Sequence, residues 1–219
     1  MHTRSMFART FAIACAAVAF GASSASAQAW HYPTLQMPEI SSRDFTFMVA
    51  GGGDYGTSGV AQWREGLASD VQVNFDVGIA TPTDNTMFLV GAGLGYELLR
   101  STQETPIDLM LTGGLYAAFG DQSFVRIPVG VVAGHRFALA GGLALTPFVS
   151  PRLSIDACAS SCHGLGTDLK LNFDIGAGLD VTKTIGIRAA LTIGGVSAGD
   201  SQTAFGIGLT YRPNMAPRR

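Results

Sequence analysis

The feature that most constrains this chain is an alternation of apolar and other residues with a period of two. It is clearest over residues 168–181 (DLKLNFDIGAGLDV), where apolar side chains alternate with charged residues, Asn and Gly. The pattern recurs over 71–80, 184–195 and 202–212. Successive side chains of a β-strand point to opposite faces, so the alternation predicts strands with one apolar and one polar face.

The sequence predicts about ten such strands, separated by turn-forming stretches such as PTDN at 82–85. The predicted strands are 44–52, 59–66, 71–80, 86–98, 106–119, 123–137, 142–154, 168–181, 184–195 and 202–212. The span 59–66 is the weakest of them, and eight strands is the alternative. The longest connector between them is 155–167. An even number places both ends of a barrel on one side, and strands of this length match the ~9–11 residues that cross a bilayer.

Charged residues are concentrated on one of the two predicted faces. The assigned inner face carries six acidic and six basic residues: Asp44, Asp76, Glu97, Asp108, Asp174, Asp180, Arg64, Arg126, Arg136, Arg152, Lys170 and Arg188. The assigned outer face carries almost none, with Glu65 at a strand end as the exception. A charge that faces lipid costs ~2–4 kcal/mol at the bilayer midplane. We therefore expect an all-β fold, a single closed antiparallel up-and-down transmembrane β-barrel.

Two soluble folds are alternatives to a barrel in lipid. A soluble β-sandwich also alternates, but the apolar faces here recur on every strong strand and exceed what one small sandwich core would bury. Charged residues make up only 14% of the chain, against roughly 25% in soluble domains. No apolar run reaches the ~18 residues of a spanning helix. A soluble periplasmic lipid-binding barrel remains a weaker alternative.

Glycine also recurs on the assigned inner face. These residues are Gly91, Gly93, Gly95, Gly176, Gly178, Gly206 and Gly208. Glycine weakens an ordinary strand, but in a narrow barrel it leaves room for long inward charged side chains and lets the sheet curve. Because unpaired charge in a confined lumen is costly, the balanced inner charges predict a lumen that ion pairs largely close.

The ends of the chain indicate export. Residues 1–27 resemble a secretory signal, with basic residues, a short apolar core at 11–20 and an A-x-A cleavage site ending at Ala27. A lipoprotein signal at Cys15 is the alternative, although it would cut the apolar core in half. Residues 28–43 have no period and are expected to be a periplasmic lead-in, and residues 213–219 a short C-terminal tail. The predicted location is the outer membrane of a Gram-negative-type bacterium.

Two cysteines remain after cleavage at this site, Cys158 and Cys162. In an exported protein such a pair predicts a disulfide, here at the tip of the 155–167 loop. A zinc site is the alternative, but it would need more ligands than His163 alone supplies. We expect no metal and no cofactor.

Charge and candidate catalytic residues exclude two classes of function. Cleavage leaves 12 of the 14 basic residues and all 16 acidic residues, a net charge of −4, so no basic stripe for nucleic acid is present. His31, His135 and His163 lie far apart in the inferred topology, and none belongs to a His-Ser arrangement that an acid could support. The chain is therefore not expected to be an enzyme.

The last predicted strand carries a signature of outer-membrane proteins. Gly206, Leu209 and Tyr211 fit the form G-x-x-apolar-x-aromatic of the C-terminal assembly signal. The chain over 44–212 resembles the small outer-membrane β-barrels of the OmpA-like and OmpW-like groups. The resemblance implies outer-membrane lipid and the assembly machinery as partners. It leaves two functions open: a structural or surface-interaction role with an unidentified ligand, or a narrow porin-like channel for small or hydrophobic solutes.

Overall fold

The computed structural model describes residues 35–52, 56–81, 86–120, 123–160, 167–194 and 202–213. These residues form ten long strands. The strands are β1 (Arg43–Gly51), β2 (Thr57–Gly66), β3 (Val71–Thr81), β4 (Met87–Leu99), β5 (Asp108–Phe119), β6 (Ser123–Gly134), β7 (Ala144–Ser160), β8 (Thr167–Asp180), β9 (Ile185–Gly194) and β10 (Gln202–Tyr211).

Each strand pairs antiparallel with its neighbour in the sequence. The sheet closes because β1 also pairs with β10, with Phe45 opposite Tyr211. The predicted ten-stranded, closed up-and-down β-barrel is therefore confirmed. The beginning of β1 and the end of β10 lie at the same side of the barrel, which is here called the terminal end. The opposite side is called the far end.

The observed strand boundaries differ from the predicted ones in the second half of the barrel. The predicted connector 155–167 is too long, because β7 continues to Ser160 and β8 begins at Thr167. The predicted strand 123–137 ends at Gly134, and the two-residue segment Phe137–Ala138 pairs separately with the start of β7. The chain between that segment and β7 makes a tight turn at Ala140–Gly142, where two glycines have positive φ.

The two faces of the wall differ as the alternation predicts. Along β1, the side chains of Thr46 and Met48 point inward and are buried, whereas Phe47 and Val49 point outward and are 63% and 56% exposed. The other strands repeat this pattern with outward Leu, Ile, Val and Phe. The register is fixed because a slip of one residue would turn a whole apolar row into the lumen.

The core of the molecule lies inside the barrel and includes residues that do not belong to the strands of the wall. Leu35, Met37, Met110, Val132 and Phe148 are among the side chains of the buried apolar cluster. Leu35–Pro38 precede β1 and are buried in the lumen near the terminal end. This segment belongs to the predicted periplasmic lead-in 28–43, but it lies inside the barrel. No helix in the described part of the chain is long and apolar enough to span a membrane.

Candidate functional site in the barrel lumen

Two arginines converge on one aspartate in the half of the lumen nearest the terminal end. Arg64 Nε lies 2.9 Å from Asp44 Oδ1, and Arg188 Nη2 lies 3.1 Å from Asp44 Oδ2. All three side chains are at most 3% exposed. Both guanidinium groups also donate through Nη1 to the backbone carbonyl of Leu35, at 3.3 and 3.1 Å. Two positive charges and one negative charge therefore share a site with a neutral carbonyl.

A second ion pair lies between β7 and β8 and is fully buried. Arg152 donates twice to Asp174, from Nε at 2.9 Å and from Nη2 at 3.0 Å. Thr192 Oγ1 donates to the same carboxylate at 2.6 Å. A bidentate pair of this kind combines charge with a fixed planar geometry, which makes it one of the stronger interactions available to a buried carboxylate.

A third cluster lies toward the far end and includes an acid that the sequence analysis missed. Arg126 Nε donates to Asp156 Oδ1 at 2.7 Å, and Lys170 Nζ lies 3.6 Å from Asp156 Oδ2. Asp156 was placed in the predicted 155–167 loop, but it is inward and buried on β7. The signal was present in the sequence, since Ser154 and Asp156 continue the polar row of β7.

A further buried acid, Asp76, points into the lumen from β3 and lies in a cluster with two amide side chains and a phenol. Gln62 Nε2 and Asn74 Nδ2 donate to the carboxylate of Asp76 at 3.1 and 3.2 Å. Asn74 Nδ2 also lies 3.0 Å from the Tyr116 hydroxyl. The Tyr116 ring packs against Gly91 of β4, where an added Cβ would lie 2.0 Å from the ring.

The mouth at the terminal end is lined by charged residues of both signs. Asp180 pairs with Arg136, which was predicted as a lumen residue but is 40% exposed, and with Arg212 at 2.7 Å. Asp108 Oδ1 accepts from the backbone N–H of Ser101 at 2.7 Å.

Two more acids complete this mouth. Glu97 pairs at 2.6 Å with Arg100 in the following turn. Glu39, which follows the buried segment, lies 4.0 Å from Arg136. Burial raises the pKa of Glu39 above its usual 4.5, Arg136 and Arg212 lower it, and the carboxylates of Asp108 and Asp180 raise it further. A further pair, between Arg43 and Glu65, lies on the outward row at the same end, where Glu65 is buried.

Glycines of the wall make room for the buried N-terminal segment. A Cβ added to Gly208 would lie 3.1 Å from Leu35 Cδ1, and one added to Gly178 would lie 2.8 Å from Met37 Cε. The same construction at Gly95 meets Gln36 Nε2 at 3.2 Å, and at Gly134 it meets Pro38 Cγ at 3.0 Å. Each residue from Leu35 to Pro38 therefore packs against a different glycine.

The outer surface carries an apolar belt with aromatic residues toward its edges. Trp63, Tyr96, Phe119, Phe137 and Tyr211 are 37–51% exposed. The Trp63 and Phe75 rings stack with centroids 5.4 Å apart.

The predicted assembly-signal residues lie on β10. Leu209 and Tyr211 point outward and are 55% and 51% exposed, whereas Gly206 faces inward.

Neither the predicted disulfide nor a metal site can be placed in the described structure. The side chain of Cys158 and the whole of Cys162 and His163 lie outside the described residues. His135 packs edge-on against Phe137 at 4.7 Å between centroids, next to the terminal end. Among the residues that the structure describes, no group of three or more His, Cys, Asp or Glu side chains is arranged to hold a metal ion.

The chain was compared with known families, curated proteins and solved structures. No family model matches it, and no curated protein does. A bacterial polysaccharide outer membrane secretin is similar at 15% identity and a TM-score of 0.48, covering 72% of this chain and 57% of its own. For LpxR from Salmonella typhimurium the sequence identity is 9% and the TM-score 0.48, and the aligned region covers 77% of this chain and 99% of LpxR. For the β domain of the Bordetella autotransporter BrkA the sequence identity is 10% and the TM-score 0.49, and the aligned region covers 77% of this chain and 97% of that domain.

These identities and TM-scores are low, so the fold assignment rests on the strand pairing of the chain itself. The resemblance to small outer-membrane β-barrels is confirmed at that level, as a fold.

Proposed function

We propose that this chain is a non-enzymatic outer-membrane β-barrel whose lumen is largely closed and whose role is structural or one of surface interaction. The observation that carries the proposal is the filling of the lumen. Buried ion pairs occupy its length, from Asp44 with Arg64 near the terminal end to Arg126 with Asp156 near the far end. Leu35–Pro38 fill its base.

Placement in a membrane follows from the chemistry of the wall. A closed sheet satisfies every backbone polar group within the barrel, which lipid requires. Apart from the Arg43–Glu65 pair at the terminal end, the outward rows are mainly apolar along the ten strands that the structure describes, whereas the inward rows hold most of the charges. In single-chain bacterial barrels both termini lie in the periplasm, so the terminal end would face the periplasm and the far end the cell exterior.

A narrow channel is the competing function, but the charge pattern favours a closed lumen. An ion-selective pore more often lines its path with charges of one sign. Here Arg152, Arg126 and Arg64 each contact a carboxylate at hydrogen-bond distance, and the side chains involved are at most 7% exposed. Charges paired in this way leave little of the lumen to water.

Planar-bilayer conductance tests the proposal. The full-length mature protein would be refolded in detergent, with the shift of its gel band on boiling as the control for folding. A folded protein that produces no conductance steps is the expected result. Discrete and reproducible steps from the folded protein would overturn the closed lumen and make transport the leading function.

A further inference from the structure

At the base of the lumen, Arg64 and Arg188 provide more positive charge and more hydrogen-bond donors than one neutral carbonyl requires. Nη1 of Arg64 and Nη1 of Arg188 both point at a single oxygen, that of Leu35. The group has one carboxylate, Asp44, against two guanidinium groups, and all three are almost completely buried. Buried positive charge without a full counter-charge is unfavourable, and a neutral carbonyl answers it only with a dipole.

The carbonyl group in this position belongs to Leu35, a residue with an unusual backbone conformation. Leu35 has a φ of +44°, in the left-handed region that residues with a Cβ seldom adopt. Its side chain is fully buried against Gly208. Strained residues of this kind persist only where their surroundings fix them, and they are concentrated at ligand clamps and switch regions.

We propose that Arg64 and Arg188 form a binding site for the oxyanion of a small solute, a carboxylate or a phosphate group, and that the Leu35 carbonyl occupies this site as an internal ligand. A carboxylate or phosphate oxygen would answer the two guanidinium groups with a full negative charge as well as with hydrogen bonds, whereas the neutral carbonyl offers only its dipole. An oxyanion would also supply the missing negative charge. It would enter from the terminal end once Leu35–Pro38 withdraws.

The closed-lumen function does not depend on this site, because the ion pairs nearer the far end remain when the segment leaves. Arg152 with Asp174 and Arg126 with Asp156 would still obstruct the lumen. With the segment withdrawn, the site would open only toward the terminal end. Its test is therefore a binding measurement on the folded protein in detergent, separate from conductance.

The test loosens the segment without altering the wall. Met37→Ser removes a buried apolar contact with Gly178, and Leu67→Ser, in an exposed turn, is the matched control. Urea unfolding would be followed in inorganic phosphate and in chloride at equal ionic strength, because a ligand of the folded state raises its stability by mass action. We expect the apparent phosphate affinity of Met37→Ser to exceed that of wild type and of Leu67→Ser by about tenfold or more, since the segment no longer competes.

The arginines are tested in the same background. Adding Arg188→Gln to Met37→Ser should abolish the gain, and adding Arg100→Gln, at an exposed arginine, should leave it intact. Phosphate and chloride acting alike on Met37→Ser would overturn the proposal, as would a gain that survives Arg188→Gln. Equal affinity of wild type and Met37→Ser would refute the role of Leu35 as a competitor.

A measurement on the wild-type protein keeps the proposal testable if the variants do not fold. Binding and segment docking are reciprocal, so phosphate must loosen the segment by as much as the segment weakens phosphate. Hydrogen exchange at the amides of Gln36 and Met37 should accelerate as phosphate is added at constant ionic strength. Exchange rates that do not change with phosphate would contradict competition at this site.

Discussion

The substitution Asp174→Asn measures whether water reaches the centre of the lumen. The carboxylate of Asp174 is fully buried and accepts two hydrogen bonds from Arg152 and one from Thr192. Removing one partner of a buried ion pair costs ~3–5 kcal/mol, because the remaining charge stays desolvated. The same change in an exposed pair costs ~0–1 kcal/mol. The size of the loss therefore reports whether the pair is dry.

The assay is urea unfolding of the barrel refolded into lipid bilayers, followed by tryptophan fluorescence. With a urea m-value of about 2 kcal/mol/M, a loss of ~3–5 kcal/mol lowers the midpoint by about 1.5–2.5 M. Arg100→Gln is the control, since the Arg100 side chain is 66% exposed, and its loss should stay below ~1 kcal/mol.

A double-mutant cycle separates the pair from its surroundings. The variant Asp174→Asn/Arg152→Met should lose less stability than the sum of the two single variants, because the second change removes the charge that the first leaves without its partner. A midpoint shift below about 0.5 M for Asp174→Asn, as expected of a solvated pair, would refute the reasoning. It would also remove the main support for a closed lumen.

Three further predictions address the wall, the lipid face and the mouth. Gly91→Val should lower the yield of heat-modifiable barrel, because its Cβ would overlap the Tyr116 ring; Gly59→Val, where a Cβ meets nothing within 4 Å, is the control and should refold normally. Ile207→Arg places a charge on the outward row of β10, where it should cost ~2–4 kcal/mol in bilayer unfolding experiments; an unchanged unfolding midpoint would contradict a lipid-facing position. Burial raises the folded-state pKa of Glu39, so its stabilising contribution is complete below the unfolded pKa of about 4.5 and is lost as pH rises through the folded value. Hydrogen exchange at Met37 should therefore accelerate with rising pH beyond the intrinsic pH dependence, and Glu39→Gln should abolish that excess; an equal excess in both proteins would exclude Glu39 as its cause.

The wall of the barrel was predictable because its signal is local and repeats. Residues 168–181 alternate without interruption, and β8 occupies 167–180. The far end of β7 carries only a short local signal, the continuation of its polar row through Ser154 and Asp156. Residues 155–160 (IDACAS) fall in the predicted connector, but the strand continues there, paired with β6 and β8, and Asp156 contacts Arg126 and Lys170. Those partners lie 30 and 14 residues away in the sequence, so no local pattern could reveal them.

The buried segment escaped prediction for a different reason. Residues 35–38 (LQMP) have no periodicity, and a short apolar stretch before a barrel is compatible with a lead-in outside it. The relevant signal lay in the wall, at Gly95, Gly178 and Gly208. The sequence predicts that these glycines make room for long charged side chains, whereas they receive Gln36, Met37 and Leu35.

The position of Leu35 also links closure of the barrel to filling of the lumen. Its carbonyl is bound by Arg64 on β2 and by Arg188 on β9, 153 residues away in the sequence. Its side chain packs beside Gly208 on β10, next to Thr46 on β1. These groups surround Leu35 only after β1 has paired with β10, so the site for the segment is created by the same step that closes the sheet. We therefore expect the wall to close before the segment is seated or together with it, because the contacts of Leu35 are not assembled in an open sheet.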